Sequence, residues 1–174
     1  RRTIIDVDLK EMGWTFGEDC LTEVSVSGMP STAGGGRVDY VLYGNNHKPL
    51  AVVEAKKTGL DAEVGREQAR LYADCLEQMT GQRPLIFYTN GYTTWFWDDT
   101  NHAPRKVYSV FAKRDMERIV NRRNQKKPFR QLAINDDITN RPYQKIAIQR
   151  ACNEYGNNKR KVLWVMATGS GKTR

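Results

Sequence analysis

Two short runs, 37–43 (RVDYVLY) and 50–56 (LAVVEAK), constrain the fold of this chain more than any other feature. Both are rich in β-branched and aromatic residues, and Gly44-Asn45-Asn46-His47-Lys48-Pro49 lies between them. Strand formers on either side of a segment of turn formers make a hairpin pattern. A symmetric six-residue turn sets Asp39 opposite Glu54 on one face, with Cβ atoms about 5 Å apart. Lys56 follows Glu54 by two residues and shares that face. The inference depends on register, because a slip of one residue sends one carboxylate to the other side of the sheet.

Two carboxylates so close repel each other unless a proton or a cation sits between them. An aspartate, a glutamate and a backbone carbonyl form a hard-oxygen site suited to Mg²⁺. Such an ion polarises a phosphoryl oxygen and lowers the pKa of a bound water. A neighbouring lysine holds that water or neutralises charge building on the phosphate. Metal-dependent phosphodiester hydrolysis needs these parts. The pattern is short, and a solvated sheet face with Lys56 as an ion-pair partner satisfies it too.

The following segment adds specificity. Its spacing predicts a helix over 60–79, ended by Gly81 and Pro84, with Leu60, Val64, Leu71, Cys75 and Met79 in one inward stripe. Gln68 falls within that stripe and Tyr72 at its edge. A buried glutamine needs a hydrogen-bond partner, and the sheet that carries the carboxylates is the expected neighbour; backbone or water is the alternative. Elsewhere the pattern predicts a helix over 3–12, strands at 22–27, 85–89 and 92–97, and helices over 112–127 and 142–155. Asn90-Gly91 reads as a two-residue hairpin turn. Residues 162–166 (VLWVM) read as a buried strand, and 31–36 as a glycine-rich loop.

The set Asp39, Glu54-Ala55-Lys56 and Gln68-x-x-x-Tyr72 resembles the core of the PD-(D/E)xK nucleases. The glutamine–tyrosine element is similar to that of RecB-type nucleases, and closer still to the motor subunit of type I restriction–modification enzymes. The resemblance implies an α/β fold: a restriction-endonuclease-like αβββαβ core with a mixed central sheet, followed by the beginning of a RecA-like lobe. It implies that Asp39, Glu54 and the Ala55 carbonyl hold the metal and that Lys56 is the catalytic lysine. Gln68 and Tyr72 would be the accessory pair near the phosphate backbone. Val38 stands where the family name has proline. Relatives also use an acid on the first helix, for which Asp6, Asp8 and Glu11 all qualify.

Met166-Ala167-Thr168-Gly169-Ser170-Gly171-Lys172-Thr173 is a phosphate-loop pattern. Backbone N–H groups in a glycine-permitted turn cradle phosphates, Lys172 reaches the outer phosphates and Thr173 binds Mg²⁺. Met166 replaces the usual first glycine, and the sequence resembles the form found in superfamily 2 helicases. Arg141-Pro142-Tyr143-Gln144 resembles their adenine-recognition element, so Tyr143, Gln144 and residues Thr168–Thr173 are the expected ATP contacts. Pro142 also suits an ordinary helix start. Neither a water-orienting acid nor a second lobe is visible, so the segment is expected to show no robust ATP turnover.

Charge completes the reading. The 174 residues carry a net +8, which favours a polyanionic partner. Between 113 and 130, eight basic residues stand against two acidic ones. Arg122, Arg123, Lys126 and Lys127 are the expected phosphate contacts on DNA, the alternative being a solvated helix face. The divisions expected are an endonuclease domain over 1–112, a basic connector over 113–140 and the start of a helicase domain over 141–174. A chain that lacks an initial methionine and stops after a phosphate loop reads as part of a longer protein. Three separated cysteines and two histidines without ligand spacing argue against a disulfide framework or a zinc site. No apolar run approaches membrane length, so a cytoplasmic setting with no membrane partner is expected. The resemblance implies duplex DNA, Mg²⁺ and ATP as ligands, and modification and specificity subunits as partners. A nuclease–helicase fusion of repair or phage defence, and an inactive nuclease fold that only binds DNA, are the rival readings.

Overall fold

A run such as 49–55, with no polar residue before Glu54, needs cover on both faces. A computed structural model describes residues 2–30, 34–125, 128–157 and 159–171 and sets this run inside a six-stranded sheet. The chain forms two compact units, one to Asn124 and one from Gln125. The first contains α1 (Arg2–Glu11), β1 (Cys20–Ser27), β2 (Gly35–Tyr43), β3 (Pro49–Ala55), α2 (Arg66–Thr80), β4 (Leu85–Thr89), β5 (Thr94–Trp97), β6 (Arg105–Val107) and all but the last residue of α3 (Lys113–Gln125). The strands lie in sequence order. All neighbours are antiparallel except β3 and β4. A parallel pair needs a long crossover, and α2 supplies it. The αβββαβ core with a mixed sheet is therefore present.

Each face of the sheet has its own core. On one, Tyr40, Leu42, Val53, Phe87 and Phe96 pack with Ile5 and Leu9 of α1 and with Met116 and Val120 of α3. On the other, Val41, Val52, Ile86 and Tyr88 pack with Ala69, Tyr72, Ala73 and Leu76 of α2. Val52 and Val53 fall in different cores, as the two-residue period of a strand requires.

The expected helix over 60–79 begins instead as a 3₁₀ turn, Ala62–Gly65, before α2. Leu60, Val64 and Met79 are exposed, and Ala69, Tyr72, Ala73, Cys75 and Leu76 face inward. A 3₁₀ turn advances each residue farther round the axis than an α-turn, which shifts the phase of everything after it. Alanines also let α2 lie close on the sheet where leucines would hold it off. Gly81 ends the helix in the left-handed conformation, φ 71°. The β4–β5 loop is longer than expected: Thr89 pairs with Thr94, leaving four residues outside the ladder. The Asn90 Oδ1 accepts from the amides of Tyr92 and Thr93, an Asx turn that closes the loop.

In the second unit a 3₁₀ turn, Phe129–Gln131, precedes α4 (Pro142–Gly156), with Pro142 in its first turn. The Phe129 and Tyr155 rings meet at 5.6 Å. The strand expected at 162–166 is absent; Leu163 and Val165 are exposed. No strand lies beside it among the described residues, and a β-branched run without a ladder partner has no backbone bonds to hold it extended. None of the described helices is long and apolar enough to cross a membrane. All three cysteines are free; burial is the main force pushing the Cys20 thiol up to about 12, and Cys75 is buried as well.

One ionic cluster fastens the helices of the first unit to its loops. Arg83 pairs through Nη1 with Asp74 (2.6 Å) and Glu77 (2.8 Å) of α2, and through Nη2 with Asp99. Arg123 of α3 donates to the Arg83 carbonyl (2.9 Å) and pairs with Asp98 (2.7 Å). Asp99 is 9% exposed, so removal of its partner strands a buried charge. Arg83→Ala should cost roughly 3–5 kcal/mol, read from urea unfolding, and an unchanged midpoint would refute that role.

Candidate functional site

The site forms where β2 and β3 part. Tyr40 pairs with Val53, Val41 with Val52 and Leu42 with Ala51, the expected register, although the turn is not the symmetric six-residue one: Pro49 already pairs with Tyr43, and an irregularity between Leu42 and Tyr43 restores the register beyond it. The next residue pair would be Asp39 and Glu54, but the ladder stops short of it. There the Asp39 Oδ2 accepts the Ala55 amide hydrogen at 2.8 Å. A carboxylate thus takes over from the backbone carbonyl that would have continued the pairing. β3 meanwhile keeps its bond to β4 one residue farther, with Lys56 N donating to the Thr89 carbonyl at 2.7 Å. Glu54 therefore stands at the end of a strand held on its other side.

Glu54 is buried and lies on the α2 face of the sheet, beside Tyr88 of β4. The Lys56 Nζ donates to Glu54 Oε1 at 2.8 Å and to Gln68 Oε1 at 2.6 Å. An ammonium only donates, so the glutamine must turn its oxygen to Lys56 and its nitrogen away. That nitrogen donates to the Tyr72 hydroxyl at 2.7 Å. Glu54, Lys56, Gln68 and Tyr72 thereby form one continuous chain of bonds. The Lys56 side chain is 18% exposed, so these charge-assisted bonds replace most of its hydration.

Two glycines make room for this network, and one of them, Gly36, belongs to β2 and not to the loop expected over 31–36. A Cβ at Gly65 would lie 3.1 Å from Lys56 Cε and 3.2 Å from Glu54 Cγ. A Cβ at Gly36 of β2 would lie 2.7 Å from the Tyr72 ring. Gly65 lay inside the helix expected over 60–79 and gave no signal there; the structure puts it just before α2. Behind Glu54, burial pushes the Tyr88 phenol up to about 12, with nearby Glu63 adding to the effect. Tyr88 stacks on the partly buried Trp95, centroids 6.0 Å apart, at the core on the α2 face.

The donor set suits a hard cation. Two carboxylates and a backbone carbonyl are oxygen ligands of the type Mg²⁺ takes. No cluster of three or more His, Cys, Asp or Glu side chains fit for a metal exists among the described residues. The Ala55 carbonyl and water would have to complete any coordination here. Of the three first-helix acids, Asp6 accepts from the Tyr40 hydroxyl at 2.9 Å. α1 packs on the sheet face opposite Glu54. Asp8 is held above the usual carboxylate range by burial and by Glu11.

The other expected sites fare unequally. Arg122 is exposed. Arg123 is turned inward onto Asp98 and the Arg83 carbonyl, 11% exposed, so it is a structural cation. Lys126, Lys127, Lys172 and Thr173 lie outside the described residues. Within the second unit Gln144 Nε2 donates to the Ser170 carbonyl at 2.8 Å, and the Tyr143 hydroxyl donates to it at 3.2 Å. Arg141 Nη1 donates to the Tyr143 hydroxyl at 2.8 Å. Gly169 and Gly171 both adopt positive φ, which a loop of this kind needs glycine to reach. Thr168 is exposed, beside the Ala167 carbonyl that accepts from the Ser170 hydroxyl.

Comparison with known proteins bears on the family and the fold. The family described as "Type I restriction enzyme R protein N terminus" matches residues 19–105, and "Type III restriction enzyme, res subunit" matches 137–174. A solved fragment assigned to an HsdR subunit of a type I restriction enzyme from Vibrio vulnificus YJ016 superposes with a TM-score of 0.57 at 25% identity. The match covers 99% of this chain and 35% of that one. No curated protein sequence matches.

Gly65 has an ordinary φ of −83°, so Gly65→Ala introduces contact with the Lys56–Glu54 pair and no backbone strain. The variant should fold with a melting temperature within a few degrees of the parent. Any cleavage activity of the full-length protein should fall several-fold. Full activity in the folded variant would show that the pair tolerates displacement.

Proposed function

Because the chain belongs to the type I restriction enzyme R protein N-terminal family, we propose that its first unit is a Mg²⁺-dependent endonuclease domain that cuts duplex DNA within an ATP-driven restriction motor. The observation that carries this reading is the bonded series Glu54–Lys56–Gln68–Tyr72, set beside the Asp39 carboxylate at the open end of β3. Asp39, Glu54 and the Ala55 carbonyl would hold the ion. Bound Mg²⁺ would supply Lewis acidity toward a phosphoryl oxygen and a coordinated water of lowered pKa. Lys56 is held between Glu54 and Gln68, where its ammonium can neutralise charge that develops on the phosphate. Gln68 fixes the direction of that ammonium. The Tyr72 hydroxyl accepts from Gln68 and keeps its own hydrogen to donate to a phosphate oxygen.

The second unit fits the opening of an ATP-binding lobe, with Tyr143, Gln144 and Thr168–Thr173 as the nucleotide contacts in the complete motor. Duplex DNA would be the substrate. Modification and specificity subunits would be the partners, in the cytoplasm. A fold that only bound DNA would gain nothing from a lysine that is withdrawn from water and bonded to two acceptors. That favours a working site over an inactive relative.

The decisive measurement is nicking of supercoiled plasmid by the full-length protein with its partner subunits. Lys56→Ala should lower the rate by about 10²–10³ while ATP-driven translocation continues. Chelation of Mg²⁺ should abolish the nicking that remains, and Asp39→Ala should lose it as well. A Lys56→Ala protein that nicks like the parent would end the proposal.

A further inference from the structure

Exposed cations such as Lys57 and Arg66 lie near Glu54, but a second group of positive charge in the first unit lies on the other side of the sheet. Along α3, Met116 and Val120 are buried in the core opposite α2. Arg114, Arg118 and Arg122 are exposed. Residues four apart on a helix lie about 40° from one another round the axis, so the three guanidiniums form one stripe. Met116 and Val120 sit roughly 200° from the residues two places before them, so the stripe points outward. The other cations of the described helix are engaged. Lys113 pairs with Asp19, and Arg123 with Asp98. The acids on the helix offset the stripe only in part. Glu117 accepts from the Asn45 amide, and Asp115 lies 3.9 Å from Arg118, with both side chains largely exposed.

The stripe has a built flank. Phe111, Asp115, Arg118, Ile119 and Arg122 line a cleft of about 310 Å³. The guanidinium of Arg105, at the edge of the sheet, lies 5.9 Å from the centre of the Phe111 ring. Guanidiniums at helical intervals along an outward face match a row of backbone phosphates, and they carry no means of reading bases. We propose that the Arg114–Arg118–Arg122 face of α3 is a second backbone-binding surface for duplex DNA, separated by the sheet and α3 itself from the position where strands are cut. The proposal rests on the nuclease reading above. It adds that the duplex held by this face contacts neither Glu54 nor Lys56 at that point, so the arginines govern retention of DNA and not the chemical step.

The test uses the full-length protein with its partner subunits, and compares Arg114→Ala/Arg118→Ala/Arg122→Ala with Lys56→Ala. Equilibrium binding to a non-specific duplex is followed against salt. The triple variant should flatten the slope of log affinity against log salt by about 2.7, from three phosphate contacts at about 0.9 each. Replacement of all three by lysine should restore the slope. In plasmid nicking the triple variant should need more DNA for half-saturation and reach the parent's maximal rate. Lys56→Ala should keep the parent's affinity and lose nicking. A folded triple variant with an unchanged salt slope overturns the proposal. So does one whose slope is unchanged but whose assembly with the partner subunits is lost, because the face would then dock protein. A lowered maximal rate at saturating DNA would show that the two surfaces are not separate. Nicking by Lys56→Ala at the parent's rate would sink the nuclease reading instead, whatever the arginines do.

Discussion

An ammonium group mostly removed from water has to be surrounded by acceptors, and Lys56 sets the arrangement of everything near it. Glu54 on the same strand provides one acceptor and Gln68 on α2 the other. The helix must therefore cross the sheet with residue 68 over the end of β3. Alanines at 69 and 73 permit the close approach, and Gly36 lets the Tyr72 ring lie directly on β2. The parallel pairing of β3 with β4 depends on the same crossing, since α2 is the connection that makes it possible.

Much of this was legible in the sequence because the relevant signals were local and periodic. The register of β2 on β3 was legible although an irregularity between Leu42 and Tyr43 shortens the turn, and a polar residue on an inward face pointed Gln68 at the sheet without naming Lys56 as its partner. The inward face itself was misread. Leu60, Val64 and Met79 carried the apolar signal, yet they are exposed, and small residues do the packing. Hydrophobic periodicity weighs a side chain by size. A helix that must approach a sheet closely selects for smallness, which the same measure scores low. The expected strand at 162–166 failed for a different reason. Its composition is right, but a strand exists only through its neighbours, and no composition reveals whether they are there.

The ionic cluster escaped sequence reading entirely. Arg83, Asp74, Glu77, Asp99, Asp98 and Arg123 come from α2, two loops and α3, and nothing in their spacing connects them. Charge counted along the chain put Arg123 with its neighbours as a surface residue. Its contacts make it a bolt between α3 and the sheet. The basic segment thus divides into cations that hold the fold and cations left outside it, a distinction that only three dimensions can draw.

Asp39 carries a last consequence. Its carboxylate finishes a backbone ladder as well as standing at the open end of β3. Truncation to alanine therefore removes an anion and also unhooks a peptide group, so loss of function in that variant confounds chemistry with local architecture. Asparagine would retain an oxygen for the Ala55 amide while erasing the charge. Only the pair of substitutions, taken together, separates the electrostatic duty of this side chain from its carpentry.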